Sequence, residues 1–459
     1  MITFEDVVLF FPFSIRCAAV LSRLPRNAPA WLDRLSGWLE PFEVCFTHVA
    51  QRGAFRRYLL GLLSDSRRKS MSAMLERVSD PGTYQSFQHF ITHAPWSAER
   101  VWRQLRAAIP ARTGVLILDG TSFPKQGRRS VAVARQYCGT VGKVANCQVA
   151  VTAALWDGVR AWMLGAALYV PQEWLTPEAR ERAQIPAALR FQEKWRLALT
   201  LLRQVRAAGV QVTAVLGDAE FGDSATLRRT LHRLRLPYAL GISSTLTVFR
   251  GTPAVAVPPR PPGRSRPPTR LQLTDAARPE AVRAIAAALS SRAWRRVTWR
   301  NGANRPWAAH FAALRVTPAH EWRGHRLAPE VWLLFERDLG TTPRVKAYLV
   351  ALPATASLRA LVRLAHHRWA IEQQYMELKD ELGLDHFEGR SFVGWHRHVV
   401  LTALAYTWLQ DARRRSGARL PSLPVARAVI TEILTAHFFV TRPHYLETMQ
   451  KLAEINLRI

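Results

Sequence analysis

The sequence predicts an α/β fold: a mixed sheet flanked by helices, with a helical domain before it and a β-rich insertion before its last helix. Three observations carry this. Short apolar runs bounded by turn residues, Val115–Asp119 and Val212–Asp218 among them, read as buried strands. Stretches before residue 108 and after residue 357 carry apolar residues at helical spacing. Between them, helix and strand patterns alternate, which places helices on a sheet.

Taken in order, residues 1–108 form the helical domain. Ala54–Leu63, Met71–Val78, Tyr84–His93 and Ser97–Ala108 are the helix candidates; Ser97 stands at an N-cap and Ser79-Asp-Pro-Gly82 marks a turn. Residues 109–245 begin the sheet domain, with strands at Val115–Asp119, Ser130–Tyr137, Cys147–Trp156 and Val159–Val170. Asp157-Gly158 joins the last two as a hairpin turn. The helix Phe191–Ala208, closed by Gly209, leads to the strand that ends at Asp218. A helix over Ala225–Leu234 and a strand at Tyr238–Ile242 follow.

Residues 246–345 are the insertion. Pro253–Pro268 holds seven prolines and three arginines (Arg260, Arg264 and Arg266) and no acid, which excludes a helix or a central strand. Strands are expected at Arg295–Arg300, Ala308–Val316, Val331–Glu336 and Lys346–Leu352, and the tryptophans Trp294, Trp299, Trp307, Trp322 and Trp332 read first as core. Residues 346–410 complete the sheet domain and residues 411–459 are a C-terminal helical segment.

Charge narrows the function. Lys and Arg number 64 against 34 Asp and Glu, a net +30 over 459 residues. With 48% hydrophobic and 21% charged residues the chain is globular, not disordered. A GC-rich genome accounts for Arg over Lys but not for the shortage of acids, so a polyanion is the expected partner, nucleic acid first. The basic segment Arg56, Arg57, Arg67, Arg68 and Lys69 beside the first turn is a candidate DNA-reading unit; the plain alternative is a solvated bundle face.

The four cysteines, Cys17, Cys45, Cys138 and Cys147, form no C-x-x-C pair, which excludes a zinc or disulfide framework and points to buried thiols in a reducing cytoplasm. Glu5 and Asp6 stand where a signal peptide needs positive charge. Pro12 and Arg16 interrupt the run Val7–Leu21, so no membrane partner is expected.

Three acids carry candidate chemistry. Asp119 and Asp218 each close an apolar run, and Glu372 lies in the helical pattern Arg368–Lys379. Two carboxylates at strand ends and one on a helix can hold divalent metal. At about 100° per residue, Arg368, Glu372, Tyr375 and Lys379 share a sector of roughly 60°, flanked by apolar residues, and are expected to point inward. The opposite face, Gln373, Gln374, Glu377, Asp380 and Glu381, is expected to be solvated. An inward carboxylate needs a cation, either metal or its own basic neighbours. The plain alternative is an i, i+4 salt bridge from Arg368 to Glu372. Glu220, Asp385 and Glu388 are rival carboxylates.

At these residues the chain resembles the DDE-type transposases of bacterial insertion sequences, in the RNase H-like superfamily, and within them the insertion sequence seven-oh-one branch. The matching stretches are Leu118–Gly127, Val133–Gly139 with Asn146-Cys-Gln148, Gly217-Asp218, and Arg368–Glu372 continuing to Gly383–His386 and Glu388–Arg390. Arg368, Glu372 and Lys379 fit the R-x3-E-x6-K part of a related signature; Ala365 stands where its tyrosine belongs.

The resemblance implies an RNase H-like fold and a metal-binding catalytic triad of Asp119, Asp218 and Glu372. It implies two Mg²⁺ ions (Mn²⁺ able to substitute) and in-line cleavage at transposon ends with joining of the 3′-OH to target DNA. Arg368 and Lys379 are then phosphate-contacting, with Lys125, Arg135 and Gln136 as further DNA contacts. Double-stranded DNA, a homodimer in the synaptic complex and a nucleoid-associated place in the bacterial cytoplasm are the implied setting. A nuclease that cuts without joining, a transposase-derived regulator and a basic RNA-binding scaffold are the alternatives.

Overall fold

The computed structural model describes residues 28–78, 80–259, 269–301, 306–319, 327–340, 342–415, 422–441 and 444. Its strands are β1 (Thr113–Pro124), β2 (Ala134–Cys138), β3 (Lys143–Trp156), β4 (Ala161–Tyr169), β5 (Gln211–Gly217), β6 (Tyr238–Ile242) and β7 (Thr247–Arg250). Then come β8 (Val255–Ala256) and β9 (Gln272–Leu273), which pair only with each other, and β10 (Glu280–Ala281), β11 (Arg295–Asn301), β12 (Pro306–Pro318), β13 (Val331–Arg337) and β14 (Val345–Ala351).

All but β8 and β9 build one mixed sheet, in the order β10-β7-β12-β13-β14-β6-β5-β1-β3-β2, with β4 also on β3 and β11 on β12. β1, β5 and β6 run parallel at its centre, while β3 and β4 return antiparallel.

The sheet is covered on both sides because side chains alternate along each strand. Leu116, Leu118 and Val215 face one way, into a core with the helices Lys194–Ala207 and Ala225–Arg233. Ile117 and Leu216 face the other, against Leu358–His366 and Trp369–Met376. The helix Lys194–Ala207 buries Leu199, Leu202 and Val205 on its sheet side; Leu202→Ala should cost about 2–5 kcal/mol of stability. Gly222, in the short helix after β5, must be glycine, since a Cβ there would lie 1.7 Å from the Gly241 carbonyl oxygen of β6.

A third core joins the N-terminal helices, Val49–Leu63 and Ala98–Ala108 among them, to the long helix Phe392–Arg415 and to Leu423–Thr441. The N-terminal and C-terminal helices therefore fold together. Arg397, buried in the long helix, donates to the carbonyls of Ile91, Ala94 and Trp96 and fixes the two sets of helices to each other.

Several expectations change. β1 does not stop at Asp119 but runs to Pro124, since β3 continues to pair with it as far as Cys147. The expected strand Ser130–Tyr137 begins only at Ala134 and runs one residue further, to Cys138; Ala132 turns the chain at φ 59°. The segment 246–345 is β-rich, but its strands extend the main sheet because β14 pairs directly with β6. Pro253–Pro268 contributes β8; Arg260, Arg264 and Arg266 lie outside the described residues, as do Cys17 and Trp322.

Several charges of the basic segment 56–69 have partners within the chain, while Arg67 and Arg68 stay exposed. Arg56 pairs with Glu43, Arg57 with Asp80 and Arg68 with Glu388, while buried Lys69 donates to the Ser64 carbonyl. Among the described residues, no helix is long and apolar enough to cross a membrane.

Candidate active site

Parallel pairing brings the two aspartates together. Ile117 of β1 lies beside Leu216 of β5, and two further residues on each chain place Asp119 beside Asp218. β5 has ended by then. Asp218 caps the turn Ala219–Gly222, its Oδ1 accepting the Glu220 N–H at 3.0 Å. Asp119, mid-strand and 4% exposed, shares its sheet face with Thr152, its partner on β3.

The helix carrying Glu372 packs over this face. Its first residue, Trp369, follows Arg368, whose guanidinium reaches both ways: Nη2 to Asp119 Oδ1 at 3.0 Å and Nη1 to Glu372 Oε1 at 3.2 Å. The i, i+4 salt bridge and the inward contact thus coexist. Glu372 itself is two-thirds exposed.

Burial pushes the Asp119 carboxyl up to about 6; Arg368 opposes this, and Asp218 and Glu372 add to it. Burial alone would lower Arg368, but Asp119, Asp218 and Glu372 together raise it. The four groups share one electrostatic site.

The next helical turns tie the same face down. Tyr375 Oη lies 2.5 Å from Thr152 Oγ1, and burial raises its pKa, with Asp119 adding to the shift. At Glu377–Glu381 the helix widens into a π-turn, a distortion often found at functional sites. There Lys379 Nζ donates to the Ser122 carbonyl at 3.0 Å and to Thr140 Oγ1 at 3.1 Å, leaving one N–H of three.

The face expected to be solvated is so only at Gln373 and Asp380. Gln374 and Glu377 are buried, with Tyr406 of the long helix donating to Glu377 Oε2 at 2.9 Å, and Glu381 pairs with Arg427. A helical wheel read for one helix could not include the two helices that cover it.

Two rival carboxylates fall elsewhere. A Cβ on Gly120 would lie 3.7 Å from Glu220 Oε2, so Glu220 sits on the sheet face opposite Asp119, where Lys194 pairs with it at 2.7 Å. Glu388 pairs with Arg68. Asp385 stands beside His386 at 3.8 Å.

Lys125 turns inward, donating to the carbonyls of Asp385 and Phe387 at 3.1 and 2.8 Å. Gln136 donates to the Cys147 carbonyl. Arg135 is exposed. Of the insertion tryptophans, Trp299 stacks on His366 at 3.8 Å and Trp294 packs on Phe335, while Trp307 is exposed. Sequence reading missed the Tyr375–Thr152 clasp. Its signal was a lone hydroxyl in the otherwise apolar run Val149–Trp156.

The donor set is entirely oxygen, which suits hard divalent cations such as Mg²⁺ or Mn²⁺. The Asp119–Asp218 pair fits one by chemistry and position. Among the described residues no three His, Cys, Asp or Glu side chains are close enough to hold an ion as they stand. Arg368 stands between Asp119 and Glu372, so Glu372 can join a metal only if that contact opens.

Residues 41–306 match the family model of the DDE superfamily endonucleases, a span that includes both aspartates and ends before Glu372. A probable transposase for insertion sequence element IS701 from Microchaete diplosiphon is 30% identical over 226 residues, covering 48% of this chain and 56% of that protein. The chain thus spans little more than half of that relative. The order β4-β3-β1-β5-β6, with helices on both faces, is the RNase H-like arrangement such enzymes share. Matched over more than half its length, and with its paired aspartates at the centre of that sheet, the chain belongs to the DDE endonuclease superfamily.

Proposed function

We propose that this protein is a DNA transposase that cuts phosphodiester bonds at the ends of an insertion element and joins the freed 3′-hydroxyls to target DNA. The observation that carries the reading is the position of Asp119 on β1 beside Asp218, which directly follows the parallel strand β5, under a helix that brings Arg368 and Glu372, in a chain of net charge +30. Asp119, Asp218 and Glu372 would hold Mg²⁺, with Mn²⁺ able to substitute. Bound there, the metal supplies polarisation of the scissile phosphate and an acidified water.

The protein's own groups do the rest. Burial of Asp119 strengthens the pull of its carboxylate on a cation. Arg368 holds Asp119 and Glu372 in register until a metal takes its place between them, and the guanidinium so released turns to phosphate oxygens. The free N–H of Lys379 serves the same end, while its other two fix the helix to β1. Arg135 and, less directly, Lys125 and Gln136 line the approach of the duplex. Two ends must meet for joining, so a homodimer holds the synaptic complex, inside the bacterial cytoplasm at the nucleoid.

The test is cleavage of duplex DNA carrying the element's own ends, with Mg²⁺, by wild type and Asp218→Ala. Expected are 3′-hydroxyl ends and joined products from wild type and neither from the variant. Cutting without joining would make the protein a nuclease. Tight binding without cutting by wild type would make it a regulator.

A further inference from the structure

The stretch Pro124–Gln148 contains much of the sequence that carries the resemblance, yet the carboxylate cluster uses almost none of it. Its polar side chains instead immobilise one loop, residues 125–133. Asn146 Nδ2 donates to the carbonyls of Lys125 and Gly127 at 2.7 and 2.9 Å. Gln148 Nε2, in a side chain 1% exposed, donates to the Val131 carbonyl at 2.7 Å. Trp174 Nε1 donates to the Val133 carbonyl at 2.9 Å. The loop is held at its start, middle and end.

What the fixed loop presents is a cavity of about 520 Å³ between itself, β2 and the segment Glu173–Arg182. Arg128, Arg135 and Arg182 line it and are exposed; Glu173 is the acid among its lining residues. None of the three arginines forms an ion pair among the described residues, and Arg182 lies over the Trp174 ring at 5.3 Å. Most arginines of the segment 56–69 pair with carboxylates. Three unpaired guanidinium groups around one concave wall repel one another and are relieved by an anion.

We infer that this cavity is a second DNA-backbone seat, which takes phosphates of the duplex flanking the bond to be cut. The inference rests on the reading under Proposed function. β1 links the two sites: Pro124 lies five residues beyond Asp119, roughly 17 Å along an extended strand, or about five nucleotide steps at ~3.4 Å each. Because hydrogen bonds already hold the loop, phosphate binding need not order it. Arginine suits the task through bidentate pairing with phosphate oxygens.

The experiment uses the full chain without metal and a fluorescein-labelled duplex of random sequence, titrated by anisotropy from 50 to 200 mM NaCl. Wild type is compared with Arg128→Ala/Arg135→Ala/Arg182→Ala and with Glu173→Gln. Expected is a slope of log K against log salt shallower by about 2–3 in the triple variant, near 0.9 for each phosphate no longer neutralised. Glu173→Gln should bind about two- to threefold tighter, since it removes the carboxylate facing the phosphates. A gain of affinity cannot come from misfolding.

An unchanged slope in the triple variant, or weaker binding by Glu173→Gln, would overturn the inference. So would loss of heparin binding with duplex binding intact, which would assign the cavity to another polyanion. Failure of wild type to bind duplex at any salt would overturn the transposase reading itself.

Discussion

Asp218 and Glu220 are two residues apart, carry the same charge and stand at the end of the same strand, yet they belong to opposite sides of the sheet. On one side Asp218 joins Asp119, Arg368 and Glu372 in one electrostatic site. On the other, Glu220 is neutralised by a single lysine, Lys194, on a helix of a different core. The first side has more acid than its one arginine can satisfy, so it has capacity for a further cation. The second side is a balanced ion pair and has none. What separates them is that β5 ends at Gly217 and the chain turns into a helix after Asp218; on a continuing strand, residues two apart would share a face.

Breaking the first side should have the largest effect. Asp119→Ala or Asp218→Ala should lower end cleavage on the order of 10³-fold or more while end binding, read by gel shift, stays near wild type. Retained cleavage in either variant would remove that residue from the site.

The support of the helix that carries Glu372 should appear as acid lability. His398 is buried between the Tyr58 hydroxyl, 2.8 Å from Nδ1, and the Gly383 carbonyl, 2.9 Å from Nε2. Nε2 must donate to the carbonyl, so Nδ1 accepts from Tyr58 and the ring is neutral. Burial holds its pKa at about 4, below the ordinary 6.5. The folded state binds this proton less tightly than the unfolded chain, so its stabilising contribution is complete above pH 6.5. It is lost as pH falls from 6.5 towards 4, by about 3 kcal/mol. Denaturant melts across that range should show the slope, and His398→Gln should reduce it by one proton's share, the rest coming from buried His366 and His396, which burial also holds below 6.5.

Lys379→Met removes the tie from the π-turn to Ser122 and Thr140. Cleavage by this variant should fall about tenfold, equivalent to about 1.4 kcal/mol in the barrier. An effect confined to thermal stability would make the lysine purely structural. The smallest effect belongs to the other face. Glu220→Gln should change cleavage less than about twofold and stability by less than about 1 kcal/mol, the scale of a partly exposed ion pair. A loss of cleavage comparable with that of Asp218→Ala would erase the distinction between the two sides.

The sequence by itself located most of the elements and named the candidate chemistry. Apolar runs located β1, β5 and β6 because a strand buried on both faces needs apolar residues throughout. Helical spacing located the Glu372 helix, and the motif residues named Asp119, Asp218, Arg368, Glu372 and Lys379.

Only the tertiary structure decided which groups meet. It carried β1 past Asp119, since the length of a strand follows from its partner, here β3. It buried Gln374 and Glu377 and set Tyr406 of the long C-terminal helix against Glu377, a cover no helical wheel contains. It paired Arg56, Arg57 and Arg68 with acids while leaving Arg128, Arg135 and Arg182 around a cavity. Charge is local to a residue and can be counted along the chain. Whether that charge is available depends on which opposite charge the fold brings within about 4 Å, and that is a property of three-dimensional packing alone.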